Sequence, residues 1–136
     1  MKFGRLVMLV IFVTGLFFVL PSSTYGQSGS VGIYSVAACK DSTTVAVMGA
    51  TSYGTNQVWA KVFVKNDNGE YVELDNKTTD SFSAGRISVA LVLAYAKKSV
   101  AAGTELRIEA QLQRLSGNSY VDVGPRAVHY ARAADR

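Results

Sequence analysis

Along residues 104–115 the side chains alternate with a period of two. Leu106, Ile108, Ala110 and Leu112 fall on one side, and Arg107, Glu109, Gln111 and Gln113 on the other. An extended strand points successive side chains to opposite faces, so this segment has one face for a core and one for water. The pattern recurs in residues 86–95, where Ile87, Val89, Leu91 and Leu93 line one side. Their alternates Ser88, Ala90, Val92 and Ala94 carry no charge, as in a strand covered on both faces. In residues 58–65, Val58, Ala60, Val62 and Val64 alternate with Trp59, Lys61, Phe63 and Lys65. Helical periodicity is nearly absent.

Shorter strands are expected over residues 33–39 and 43–50, joined by a turn at Lys40, Asp41 and Ser42. Asp67-Asn68-Gly69-Glu70 is a hairpin tip, because Asn-Gly tolerates positive φ, and it leads into a strand over residues 71–74. Ser116-Gly117-Asn118-Ser119 is a second tip, followed by residues 120–123 and, after Gly124-Pro125, residues 127–130. Proline gives no donor to a ladder, so this last strand belongs at a sheet edge with a bend or bulge at Gly124-Pro125. Turn signals at this spacing predict an all-β fold: a single antiparallel β-sandwich of about seven strands.

The start of the chain has a different character. Lys2 and Arg5 precede an apolar run over residues 6–20, and Pro21, Ser22, Ser23, Thr24, Tyr25 and Gly26 follow. A basic start, a short apolar core and small residues make the layout of a cleavable signal peptide, with the cut expected after Gly26. The run is shorter than the ~20 residues that span a bilayer. Export is expected, with the mature chain secreted or held at the cell surface and without a transmembrane span. The division that follows is a signal peptide over 1–26, a flexible N-terminal arm over 27–32 and a sandwich domain over 33–136. Of the 136 residues, 110 remain after residue 26, enough for one core. Of 14 Lys and Arg against 10 Asp and Glu, Lys2 and Arg5 leave with the leader, so the mature net charge is +2. The basic residues are scattered, no stripe exists to neutralise a phosphate backbone, and nucleic acid is not an expected partner.

Ala102-Gly103-Thr104-Glu105-Leu106-Arg107-Ile108-Glu109-Ala110-Gln111 resembles the Pro-Gly-Thr-x-Tyr-x-Val-x-Ala stretch that leads into a late strand of fibronectin type III domains. The strand order, with an aromatic-bearing third strand, is similar to immunoglobulin-like sandwiches. Leu106 stands where the family has its corner tyrosine, and Ala102 where it has proline. The tryptophan placement also differs. The resemblance implies a fold; such sandwiches host many functions.

Catalytic chemistry is poorly provided for. His129 is the only histidine, set in the last strand between Val128 and Tyr130. Nucleophilic catalysis needs a base beside the nucleophile, and nothing local activates Cys39. One histidine and one cysteine do not make a zinc tetrad, and Asp67-Asn68-Gly69-Glu70 is only a fragment of a calcium loop. Glu70 and Glu73 sit on an exposed hairpin rather than in a cleft. No catalytic residue, metal or cofactor is expected.

Cys39, the only cysteine, has three readings: a buried thiol, an intermolecular link, or a lipidated residue after the lipobox-like Val36-Ala37-Ala38. Asn76-Lys77-Thr78 is an N-glycosylation sequon, relevant in a eukaryotic source. Binding residues are sought among the aromatics, with Trp59, Phe63, Tyr53 and Tyr71 as candidates. Planar side chains on a sheet anchor a protein partner or stack on sugar rings. Which face of residues 58–65 enters the core stays open: Trp59 and Phe63 can point inward, as tryptophan commonly does in a sandwich, or outward. Exposed edge strands offer a second route to association, by strand addition. The expected function is a non-catalytic structural or interaction module with a protein partner or self-association. The alternative is a small secreted carbohydrate-binding module.

Overall fold

The computed structural model describes residues 27–95 and 99–134. The expected leader lies outside them. The described residues form seven strands and no helix: β1 (Gly29–Ala38), β2 (Ser42–Thr51), β3 (Asn56–Lys65), β4 (Tyr71–Thr78), β5 (Gly85–Ala94), β6 (Glu105–Ser116) and β7 (Ser119–Arg132). They make two antiparallel sheets, one in the order β1-β2-β5 and the other β4-β3-β6-β7. Among the described residues no helix is long and apolar enough to cross a membrane.

The two sheets share one core. Val45 and Val47 of β2 and Ile87, Leu91 and Leu93 of β5 meet Val58, Ala60 and Val62 of β3 and Leu106, Ile108, Ala110 and Leu112 of β6. These are the period-two sets of the sequence, each strand turning one set inward. Burying one such aliphatic side chain contributes about 1.5–3 kcal/mol. The open question about β3 is thereby answered. Val58, Ala60 and Val62 are fully buried in the core, and Trp59 and Phe63 alternate with them on the outer face. Facing sheets lie about 10 Å apart. Leucine, isoleucine and valine from both sides fill that space, so the indole is displaced outward.

The turns follow local chemistry. Asn66 Oδ1 accepts from the backbone N–H groups of Asn68 and Glu70, both at 2.9 Å, and Gly69 takes φ +81° at the expected hairpin tip. At the crossing from β2 to β3 the buried Asn56 binds three ways. Its Oδ1 accepts from Thr51 Oγ1 at 2.8 Å, and its Nδ2 donates to the carbonyls of Tyr53 at 2.8 Å and Phe82 at 3.3 Å. At the other end of β2, the buried Tyr95 hydroxyl meets Thr43 Oγ1 and donates to the Cys39 carbonyl at 3.2 Å, tying the β1–β2 turn to the end of β5.

Two boundaries differ from the sequence expectation. Residues 29–32 are not an arm: β1 begins at Gly29, which pairs with Thr51. Seventeen contiguous residues from Ser42 to Val58 are uncharged, and β1 finds its ladder along the full length of β2. β4 runs to Thr78 rather than stopping at Leu74, with a bulge opposite Val62 and Phe63. β7 is an edge strand, as expected, and its register shifts opposite Ala110 and Leu112, around Gly124-Pro125. Gly124 has φ +71°, and a Cβ there would lie 2.5 Å from the Gly29 carbonyl oxygen. Glycine at this position lets the first residues of β1 close against β7.

Gly124→Ala is therefore expected to cost about 1–3 kcal/mol in denaturant unfolding of residues 27–136, through the left-handed backbone and the close approach. Gly32→Ala, where nothing lies within 4 Å of the added carbon, is expected to change stability by less than about 0.5 kcal/mol. Equal effects would contradict the close packing of β1 on β7.

Candidate functional site

The outer face of the four-stranded sheet is a grid set by register. Phe63 lies opposite Glu73 and Arg107, and Arg107 opposite Tyr130. In the next row Lys61 faces Glu109 and Glu109 faces Val128, and beyond it Trp59 faces Gln111. Three of the candidate aromatics, Trp59, Phe63 and Tyr71, are thus on one surface. Tyr53 is not. It sits in the β2–β3 connection, packs partly against the core and lies under Arg114, 5.1 Å from its ring centroid.

Arginines organise the grid. The Arg107 guanidinium is 4.6 Å from the ring centroids of both Phe63 and Tyr71, and Tyr71 and Tyr130 lie 6.1 Å apart at a tilt of 57°. The Trp59 ring has Lys61 Nζ at 4.7 Å and the Arg126 guanidinium at 4.9 Å. Such contacts contribute about 0.5–1 kcal/mol each at an exposed site. Glu109 forms an ion pair with each arginine, with Arg107 Nε at 3.0 Å and Arg126 Nη1 at 3.6 Å, the Nε of Arg107 being buried without a hydrogen-bond partner. Trp59 is only 9% exposed although it faces away from the core, with the cationic groups of Lys61 and Arg126 lying over its ring.

The β7 bulge brings Arg126 here. Where the register breaks, the buried Gln111 amide donates to the carbonyls of Val123 at 3.0 Å and Gly124 at 3.2 Å, and its oxygen accepts from Arg126 Nε at 3.4 Å. A bulge leaves backbone groups unpaired, and Gln111 satisfies them. Gly124-Pro125 signalled the bulge in the sequence. That the bulge would return Arg126 over Trp59 was not legible, since it depends on the β6–β7 register.

At one end of the face, the Tyr71 hydroxyl donates to the Glu105 carboxylate, which also meets Lys65 at 3.9 Å and Arg132 at 3.8 Å. The hydrogen bond holds Glu105 below the usual carboxylate range and pushes Tyr71 above the usual phenol range. Cys39 is half-buried at the β1–β2 turn and lines a groove with Ala131, Arg132 and Ala134 at the end of β7. His129 is exposed on β7 opposite Ile108. Among the described residues no group of three or more His, Cys, Asp and Glu is placed to hold a metal ion.

Two outcomes test this geometry. Replacing Arg126 with alanine should expose Trp59, the only tryptophan, shifting its emission to the red and raising acrylamide quenching, at a cost of about 1 kcal/mol. An unchanged spectrum would mean that something else covers the ring. A lowered carboxylate pKa contributes stability above the group's ordinary value, and this is lost as pH falls through the folded value. Wild type should therefore lose Tm more steeply than Tyr71→Phe as pH drops below about 4.5, the ordinary glutamate value; parallel curves would show the hydrogen bond to be without consequence.

No protein-family model and no curated protein matches the chain. Among solved structures, red sea bream transglutaminase is 16% identical, with a TM-score of 0.49 over 81% of this chain and 16% of that one. β-Glucosidase 3B from Thermotoga neapolitana, in complex with α-D-glucose, is 14% identical, with a TM-score of 0.40 over 78% of this chain and 17% of that one. The chain spans about a sixth of the length of either protein, and likeness at this level carries no chemistry across.

Proposed function

We propose that this chain is an exported, non-catalytic interaction module of the immunoglobulin-like or fibronectin type III-like kind. It acts outside the cell or at its surface and presents the outer face of the four-stranded sheet to a protein partner. The observation that carries this reading is the cluster of Trp59, Phe63, Tyr71 and Tyr130 held by Arg107 and Arg126. Tryptophan, tyrosine and arginine are the residues that concentrate binding energy at protein interfaces. Here they are pre-positioned by ion pairs, which lowers the entropy cost of binding. Around the covered indole, Tyr130 is 58% and Val128 48% exposed, so apolar area remains for a partner to bury.

The family-level part of the reading draws on the arrangement of seven strands as three and four. The fourth strand pairs with the third, whereas constant immunoglobulin domains place it in the sheet of the first, second and fifth. Those domains also bury their third-strand tryptophan in the core, and Trp59 faces out. The chain is on this reading a variant of the sandwich, adapted on its outer face. In the carbohydrate alternative a sugar would stack on an open ring; Trp59 is covered by Lys61 and Arg126, which leaves Tyr130 as the exposed ring of this face.

The test is capture from the extracellular and surface fraction of the source cells by residues 27–136, compared with two variants. A partner on this face should be lost with the double variant Arg126→Ala, Tyr130→Ala and kept with Tyr34→Ala, on the opposite sheet. The same proteins retained by all three would contradict the assignment of the face. A saturable change in Trp59 emission with a glycan, at constant fold, would favour the carbohydrate alternative instead.

A further inference from the structure

The two sheets have four outer edges, β1, β5, β4 and β7, and a free edge is a template for pairing with another chain unless something blunts it. Three are blunted. β4 carries Glu73, Asp75 and Lys77 and a bulge. β7 carries Pro125, Arg126 and Arg132 and the bulge at Gly124. β1 has a bulge between Ile33 and Ser35, and its first residues close against Gly124 of β7. The fourth edge, β5, has none of these devices. It pairs with β2 from Ser42 opposite Ala94 to Thr51 opposite Gly85 without a shift in register. After Arg86 its sequence Ile-Ser-Val-Ala-Leu-Val-Leu-Ala has no charge, proline or glycine. Within its sheet β5 is hydrogen-bonded to β2 alone, so alternate N–H and C=O groups point away from the sheet.

We propose that a second copy of this chain pairs antiparallel along β5, about a two-fold axis through Ala90, joining the three-stranded sheets of two molecules into one of six strands. This goes beyond the partner-binding face proposed above and uses a different part of the molecule, the free edge of the three-stranded sheet. The occupant is a second copy because β5 is complementary to itself. With Ala90 opposite its own counterpart, Ser88 meets Val92 and Arg86 meets Ala94 on the outer side. Ile87 meets Leu93 and Val89 meets Leu91 on the core side. The two Arg86 side chains, the only charges on the strand, fall at opposite ends of the new ladder, so no like charges meet across it. Any pairing that kept inner and outer faces matched would differ by an even number of residues, because an odd slip turns every side chain over.

The same contrast between edges fixes the size of the assembly. The contact is isologous and consumes β5 on both molecules, and the far edges are the blunted β1 strands, so growth stops at two. A ten-residue edge is about 34 Å long. Edge pairing alone buries less than the roughly 1,200 Å² of a standard stable interface. The dimer is therefore expected to be a concentration-dependent one.

Sedimentation of residues 27–136 over a range of concentrations, with and without reductant, tests this against two variants. Wild type should move from monomer to dimer, indifferent to reductant, and hydrogen exchange across residues 85–94 should slow as the dimer fills. Ala90→Lys sets two ammonium groups opposite each other on an exposed face and should weaken the dimer at least tenfold at unchanged Tm. Ala46→Lys puts the same charge on the same face one strand inward and should leave the dimer within a few-fold of wild type. A monomer at every concentration overturns the proposal while leaving the partner-binding face untouched. A dimer that survives Ala90→Lys, that Ala46→Lys dissolves equally, or that reductant dissolves assembles elsewhere, and also overturns it. Should Ala90→Lys fold poorly, the concentration dependence of exchange in wild-type β5 decides alone.

Discussion

The ladder between β3 and β6 is the contact on which the rest of the molecule depends. Its inner face sets Val58, Ala60 and Val62 beside Leu112, Ala110 and Ile108, all fully buried, and these side chains are one wall of the core. Its outer face sets Trp59, Lys61 and Phe63 beside Gln111, Glu109 and Arg107. The strand period of two couples the faces rigidly: a slip by one residue would put lysine and glutamate in the core and valine in water. Burial on the inside thus fixes which aromatic and charged groups are neighbours on the outside.

From that coupling the arrangement of the outer face follows with little freedom. Glu109 faces outward because Ile108 and Ala110 face inward, and there it meets Arg107 on its own strand and Arg126 across the bulge of β7. The arginines lie over Trp59, Phe63 and Tyr71, which leaves Tyr130 and Val128 as the exposed apolar part of that face. Gly124 does two things at once. It makes the bulge that aims Arg126, and it lets β1 approach closely enough to shut one edge of the sandwich.

Much of the fold was legible in the sequence. Strands β3, β5 and β6 announce themselves by alternation, Asn68-Gly69 and Gly117-Asn118 by turn chemistry, and the β7 bulge by Gly124-Pro125. The beginning of β1 was not, because Gly29, Ser30 and Gly32 have turn-like composition and are held in a strand only by their partner β2. The face of β3 could not be read from its own residues, since both sets can be buried; the choice is made by the leucines and valines of β2, β5 and β6 across the gap. Of the site, the aromatic candidates were visible as residue types. Tyr53 was grouped with them by type alone and stands elsewhere. Arg107, Glu109, Gln111 and Arg126 were invisible, because their meaning lies in cross-strand register.

Nuclear Overhauser contacts of the Trp59 indole in residues 27–136 test the central claim most directly, that the aromatic face of β3 looks outward under a cover of cations. The ring protons should show contacts to the side-chain methylenes of Lys61 and Arg126 and none to the methyl groups of Val45, Val47 or Leu93 on the opposite sheet. Contacts to those methyls would place the tryptophan in the core and remove the basis of the proposed interaction surface.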